Sequence, residues 1–355
     1  MKKAKSARCR RVPGLVYTND GMPGYRRRRA GRGFRYLLPK GAVLRDQPEI
    51  DRIKSLAIPP AYDSVWICMK PHGHLQATGM DERGRKQYRY HPRWHRFAAE
   101  RKFSQLPEFA LALPKIRKRA RAALEEDGDA RGRVIAGIVS LLDRTGFRIG
   151  SRRYADENHT YGLASLLSRH VKKGDEGWTM RFRGKSGKLH RAIVDDSRIA
   201  KLIDDLQDLP GQYLFCHKID GRWRPIGSTD VNHWLKEVSG GDITAKHFRT
   251  WRASLHCARE LAKEDPPESV AEIKRTERQA ICNTAEVLNN TAAVCRKYYI
   301  HPAVFDAYRS GVLRTKMSKP APRMRKSDDS SKLKADERRL LWLIEHFDGG
   351  RTGKR

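Results

Sequence analysis

The chain reads as an α+β protein: a small antiparallel β-sheet domain first, then a larger, mainly α-helical domain that contains one β-hairpin. Three observations predict this. From Phe34 to about Trp94, turn signals recur at Pro39-Lys40-Gly41, Pro59-Pro60, Pro71-His72-Gly73-His74 and Asp81-Glu82-Arg83-Gly84, and only short runs lie between them. After Trp94 the apolar spacing changes to a helical period. Inside the helical part, Trp178-Thr179-Met180-Arg181-Phe182 alternates apolar with polar. It is followed by Gly184-Lys185-Ser186-Gly187 and then by residues 189–194, which makes a hairpin with a lysine at its tip.

The elements follow in order. Residues 1–35 hold twelve Lys/Arg and one acid, Asp20, and include the run Arg26-Arg27-Arg28-Arg29. This predicts a basic, flexible arm over residues 1–33 that can track phosphates. The β domain is placed at 34–98, with strands at 64–69 and 87–90 and a short helix at 51–57. The helical domain is placed at 99–314, with helices at 108–126, 131–144, 160–169, 197–206, 230–238 and 244–262. Ser197, Thr229 or Asp230, and Thr244 are the expected caps. Residues 315–355 form a basic linker and a short amphipathic helix. Leu340, Leu341, Leu343, Ile344 and Phe347 lie on one side of it, to dock on the body or on a partner.

Charge narrows the function. Lys and Arg number 74 against 41 Asp and Glu, a net charge of +33, at a pI near 10.3. A polyphosphate backbone rewards such a surface by releasing counterions, so a polyanion is the expected partner, double-stranded DNA once the resemblance below is added. No apolar run approaches the roughly 20 residues of a membrane span, so no membrane partner is expected. The N-terminus is positive but has no apolar stretch behind it, unlike a secretory signal. Cysteines at 9, 68, 216, 257, 282 and 295 form no C-x-x-C and suggest reduced thiols, in a cytosol or nucleoid.

There is no P-loop and no G-x-G-x-x-G after a strand. The pairs His72/His74 and His91/His95 lack the further ligands of a metal site, so neither cofactor nor metal is expected. Phosphoryl transfer without metal needs a nucleophile, cations on the non-bridging oxygens and a proton for the leaving oxygen. Arginine suits the second task and a lysine of lowered pKa the third.

Four segments meet that demand. They are Phe147-Arg148-Ile149-Gly150 with Tyr154 and Glu157 to Leu163; Phe182-Arg183-Gly184-Lys185-Ser186-Gly187; Thr244 to Trp251, with Lys246 three residues before Arg249; and Leu288 to Pro302, with Asn290 nine residues before Tyr299. In this order they resemble the type IB DNA topoisomerases of the short, poxvirus-like kind, which share a catalytic fold with tyrosine recombinases. The resemblance extends to Ile58-Pro59-Pro60-Ala61-Tyr62, to residues 73–79 and to residues 83–92 in the β domain, and so covers about 34–310. It implies Tyr299 as nucleophile, Arg148, Arg249 and Asn290 as stabilisers of the transition state, Lys185 as general acid and Lys246 as its helper. It also implies DNA contacts at Gln87, Tyr88, Tyr90 and Tyr154, a 3′-phosphotyrosyl intermediate, relaxation without ATP or metal, and a monomer that clamps DNA. Asn290 stands where many members have His.

Taken singly, each residue has a plain structural reading: a surface arginine, a solvated turn lysine, a capping asparagine, a tyrosine at the edge of the core. Their order and spacing favour catalysis. Tyr298 rivals Tyr299, and the Ile-His-Pro that follows favours the latter. A tyrosine recombinase is the nearest alternative, but its usual His-x-x-Arg is here Lys246-His247-Phe248-Arg249. A basic protein that only binds DNA would explain the charge and not the ordered set.

Overall fold

A computed structural model describes residues 12–126, 129–265, 268–318 and 332–348. The chain divides into two compact units, Met1–Lys102 and Phe103–Arg355. The first is an antiparallel sheet with one short helix across it, the second mainly helical.

In the first unit the strands are β1 (Gly24–Ala30), β2 (Gly33–Leu37), β3 (Asp63–Cys68), β4 (Leu75–Met80) and β5 (Lys86–Tyr90), in the sheet order β2-β1-β3-β4-β5. Helix α1 (Gln47–Ser55) places Ile53 in a core with Tyr25, Leu44, Val65, Ile67 and Ala77. The run Arg26-Arg27-Arg28-Arg29, read above as part of a flexible arm, lies within β1 instead. The reason lies in its partners. Arg27 donates to the carbonyls of Ile58 and Pro59 at 3.1 and 2.9 Å, and its guanidinium sits 4.1 Å from the Phe34 ring. Arg27 is thereby satisfied locally, while Arg26, Arg28 and Arg29 stay exposed on the strand. The preceding segment is also held down: Trp66 donates its indole N–H to Met22 O, and the Thr18 hydroxyl donates to Leu75 O. Residues 1–11 of the expected arm lie outside the described residues.

Helix α2 (Pro92–Ser104) leads to the second unit. There α3 (Leu106–Glu125), α4 (Ala130–Thr145), a short α5 (Arg152–Asn158), α6 (Ser197–Gln207), α7 (Ser228–Ser239) and α8 (Ala245–Ala262) enclose the main core. The hairpin is present as β7 (Gly177–Arg183) and β8 (Leu189–Ile193), and β6 (Val171–Gly174) adds a third strand to it. A second hairpin pairs β9 (Cys216–Ile219) with β10 (Arg222–Pro225). Helices α9 (Val270–Val287), α10 (Ala292–Tyr298), α11 (Pro302–Arg309) and α12 (Val312–Ser318) follow. No helix of the described residues is long and apolar enough to cross a membrane.

The helix expected over 160–169 is absent. Two single 3-10 turns, Leu163–Ser165 and Ser168–His170, stand in its place. The Leu163 and Ala164 N–H groups donate to Arg148 O and Ile149 O, not along the segment itself. Residues 163–167 are all buried, so their apolarity marks immersion in the core and not one face of a helix.

The last helix, α13 (Ala335–Asp348), docks on the body, with Leu340, Leu341, Leu343 and Ile344 fully buried among α3, α8, α11 and α12. Arg117 of α3 staples it. Its guanidinium donates to Glu337 at 2.7 and 2.8 Å and to Asp143 at 2.8 and 3.0 Å. Burial pushes the Glu337 carboxyl up, but Arg117 outweighs it and holds the group below its usual range. Arg117→Ala would leave Glu337 buried and unpaired, so a loss of about 3 kcal/mol of stability is expected at pH 7. Because the folded carboxyl is the more acidic, this contribution is full above the unfolded pKa of about 4.3 and fades as pH falls below it. Thermal denaturation at pH 7 and pH 4 should show the gap between wild type and variant narrowing at the lower pH.

Candidate active site

Helix α4 ends at Gly146, which adopts the left-handed conformation (φ 63°) and returns its N–H to Leu142 O. A Cβ there would come within 2.7 Å of the Arg252 side chain, so glycine is required on two counts. The next residues, Phe147-Arg148-Ile149-Gly150, run against Gly162. A Cβ on Gly162 would lie 2.5 Å from both Arg148 O and Gly150 N, and the two backbones touch because neither residue has a side chain. This contact fixes the course of the loop that carries Arg148.

Arg249 sits on the buried face of α8, at 3% exposure. Its Nη1 donates to Gly146 O at 2.7 Å and its Nη2 to Leu288 O, and the guanidinium carbon lies 5.1 Å from the centre of the Tyr299 ring. One side chain thus ties together the end of α4, the end of α9 and the tyrosine. Burial, followed by the nearby Arg148 cation, pushes Arg249 down to about 10, while Tyr299 acts in the opposite sense. It remains a cation at neutral pH.

After α9 the chain turns sharply through Asn289 in the left-handed region (φ 49°) to Asn290, and Thr291 caps α10. The Asn290 Oδ1 accepts from Arg148 Nη2 at 2.7 Å. A guanidinium only donates, so this bond fixes the amide orientation and sends Nδ2 the other way. Tyr299 closes α10. Its N–H donates to Cys295 O at 2.9 Å and its carbonyl accepts from the Ser254 hydroxyl of α8 at 3.3 Å. Tyr298 points outward at 37% exposure and carries Lys297 over its ring. The two tyrosines, ambiguous in sequence, occupy different environments.

Lys185 is exposed at the hairpin tip, where Ser186 (φ 67°) and Gly187 (φ 73°) make the turn. Behind it, His190 stacks on Phe182 at 5.2 Å and meets Phe147 edge-on at 4.8 Å. Burial, then the cations Arg249, Arg148 and Lys188, push this imidazole down to about 4, so it is neutral at physiological pH. The Asn289 amide nitrogen lies 3.1 Å from its Nδ1 and 3.2 Å from Leu189 O. Neither His190 nor Ser254 was singled out in the sequence. For His190 a signal existed: it faces Phe182 across the hairpin, in the inward set of an alternating strand.

A cleft of about 380 Å³ gathers these groups. Arg148, Lys185, Lys246, Arg249, Tyr154 and Tyr299 all line it, and no carboxylate does. Asn290 lies behind Arg148, off the cleft wall. Arg148 Nη1, Arg249 Nε and Asn290 Nδ2 are buried donors without a partner. Each such group costs about 1–3 kcal/mol, and two of the three belong to residues that line the cleft with Tyr299, where an anion would satisfy them. Among the described residues, no three His, Cys, Asp or Glu side chains come together to hold a metal.

The predicted DNA contacts of the first unit divide between two faces of β5. Tyr88, half exposed, and Tyr90 stack at 6.1 Å on one face. Gln87 alternates to the other and donates to Asp81 at 2.9 Å. On the tyrosine face, Asp20 accepts from Thr78 and pairs with Lys86.

Gly184 tests the hairpin's seating. A Cβ there would lie 2.4 Å from the His190 ring. Gly184→Ala is expected to cost about 1–3 kcal/mol of stability by overpacking against His190. Gly187→Ala meets open space but a left-handed φ of 73°, so its cost of about 1–2 kcal/mol comes from backbone strain and not from overpacking. Chemical denaturation of each variant against wild type checks both.

Residues 93–324 match the model of the eukaryotic DNA topoisomerase I catalytic core, and residues 33–81 match that of the bacterial DNA topoisomerase IB N-terminal domain. The chain is 32% identical to the DNA topoisomerase 1B of Acanthamoeba polyphaga mimivirus over 302 residues, 81% of this chain and 88% of that one. It is 22% identical to the DNA topoisomerase 1B of Vaccinia virus (strain Copenhagen) over 279 residues, 74% of this chain and 82% of the other. A DNA topoisomerase 1 of Mycosarcoma maydis is 29% identical over 178 residues, 43% of this chain and 17% of its own length. The catalytic-core match takes in every residue of the cleft, and this chain belongs to the type IB DNA topoisomerase family.

Proposed function

We propose that the chain relaxes supercoiled DNA by transient single-strand cleavage, with Tyr299 as nucleophile and neither ATP nor metal required. The observation that carries this reading is the pair of buried, unpartnered donors on Arg148 and Arg249, which line one cleft with Tyr299, with a third on Asn290 behind Arg148, in a cleft whose charged lining is wholly cationic. A phosphodiester bound there would satisfy them, and more strongly as charge builds on its non-bridging oxygens.

The tyrosine oxygen attacks phosphorus in line, loses its proton and forms a 3′-phosphotyrosyl bond. The bond from phosphorus to the 5′-oxygen breaks, and Lys185, helped by Lys246, delivers the proton that the leaving oxygen takes up. Arg148 and Arg249 hold the non-bridging oxygens, and the Asn290 NH₂ donates the remaining hydrogen bond. The free 5′ end swivels, and the 5′-hydroxyl then attacks the phosphotyrosine and reseals the strand. Bond energy is conserved in the covalent link, so no external energy source enters.

Double-stranded DNA is the substrate. A monomer would clamp it between the two units, with Tyr88, Tyr90 and Gln87 on one side and Tyr154 at the cleft, within a bacterial nucleoid.

The test is relaxation of a supercoiled plasmid in EDTA without ATP. Wild type and Tyr298→Phe should relax it. Tyr299→Phe should lose more than about 10³-fold in rate. Arg249→Ala and Asn290→Ala should each lose about 10²–10³-fold. Relaxation undiminished in Tyr299→Phe would place the nucleophile elsewhere, and a mobility shift without relaxation would leave only a DNA binder. Asn290→Asp separates orientation from donation: its carboxylate still pairs with Arg148 but donates nothing, so it should be at least as impaired as Asn290→Ala.

A further inference from the structure

The turn that presents Asn290 is held from the hairpin that presents Lys185. Three consecutive residues at the start of β8 make the connection. Lys188 donates from Nζ to the Asn290 main-chain carbonyl at 2.9 Å. Leu189 accepts at its carbonyl from the Asn289 amide nitrogen, and the His190 Nδ1 lies 3.1 Å from the same nitrogen. These contacts span about a hundred residues of sequence and join two segments that the cleft needs at fixed separation.

Asn290 shows what the connection does. Its main-chain N–H donates to Ala285 O at 2.8 Å, its main-chain carbonyl accepts from Lys188, and its side-chain oxygen accepts from Arg148 at 2.7 Å. The side-chain NH₂ is left as the residue's one open hydrogen-bonding group, buried and unpartnered. Every other polar atom of Asn290 is used to fix where that NH₂ points. Of the three restraints, only that from Lys188 comes from outside α9 and the arginine pair, and it comes from the strand that follows the Lys185 turn. Lys188 is half-buried and does not line the cleft.

We propose that Lys188 is a positioning residue: by holding the Asn290 carbonyl it fixes the direction of the Asn290 NH₂ relative to the acid-bearing hairpin. The inference rests on the cleavage mechanism proposed above. It goes beyond that mechanism in assigning a role to a lysine that touches neither the phosphate nor the leaving oxygen. Misplacement of a catalytic group by about 1 Å can cost about 100-fold in rate.

The test is a double-mutant cycle in the full chain, read as the single-turnover rate of strand cleavage on a DNA duplex. Lys188→Met should slow cleavage about 10–100-fold, with melting temperature and duplex affinity close to wild type. In an Asn290→Ala background the same change should slow cleavage less than about twofold, because the group it positions is gone. Lys188→Arg, which can still donate to the carbonyl, should recover most of the rate. Equal slowing in both backgrounds would overturn the proposal, because Lys188 would then act as a bulk charge or through Lys185. So would a Lys188→Met rate equal to wild type. If the wild-type chain cleaves no DNA, the underlying mechanism fails instead, and the two failures are distinguished by that single control.

Discussion

The site depends on one buried cation. Arg249 lies almost wholly out of water, yet no carboxylate lines the cleft it faces. Two main-chain carbonyls and an aromatic face hold its charge. A carbonyl dipole offsets only part of the cost of desolvating a guanidinium. The remainder is left for an anion from outside. The same two bonds determine where α4 must stop and where α9 must turn, because Gly146 and Leu288 have to present their oxygens at one point. Arg148, Asn290 and Tyr299 take their places from those two chain ends.

A second arginine shows the opposite solution. Arg117 is also largely buried, but it meets Glu337 and Asp143 through four hydrogen bonds. Its charge is spent inside the protein, and its effect is to fasten α13 to the body. Around Tyr299, by contrast, donors on Arg148, Arg249 and Asn290 remain open. Residue type alone does not separate the two arginines; their partners do, carboxylates for Arg117 and main-chain carbonyls for Arg249. The site is stabilised elsewhere, by the close Gly150–Gly162 contact and by the aromatic packing of Phe147, Phe182 and His190.

Local pattern carried far in this chain and failed for identifiable reasons. The hairpin of β7 and β8 and helices α6 and α7 follow from their period, because each has one buried and one wet face. Helices α4 and α8 are buried over most of their length, and of the expected caps only Thr244 is one, since Asp196 caps α6 and Gly227 precedes α7. The segment at 160–169 misled because residues 163–167 are all buried and Leu163 and Ala164 give their N–H groups to Arg148 and Ile149. The arginine run at 26–29 misled because charge suggests solvent, whereas Arg27 spends its guanidinium on carbonyls of the 58–62 turn. On β5, Gln87 falls opposite to Tyr88 and Tyr90 by simple alternation, which a shared motif conceals.

The sequence by itself determined the chemistry available: two arginines, two lysines, an asparagine and a tyrosine in an order that matches one family, on a chain whose charge calls for a polyanion. Residue type and spacing suffice for that, because they state which groups can donate, accept or attack. Tertiary structure decided how those groups are used. It turned Tyr298 out and Tyr299 in, directed the Asn290 amide by giving its oxygen to Arg148, made His190 neutral by burial among cations, and brought Lys188 to a carbonyl a hundred residues away. Such choices depend on distances between segments remote in sequence, and only packing of the core sets those distances.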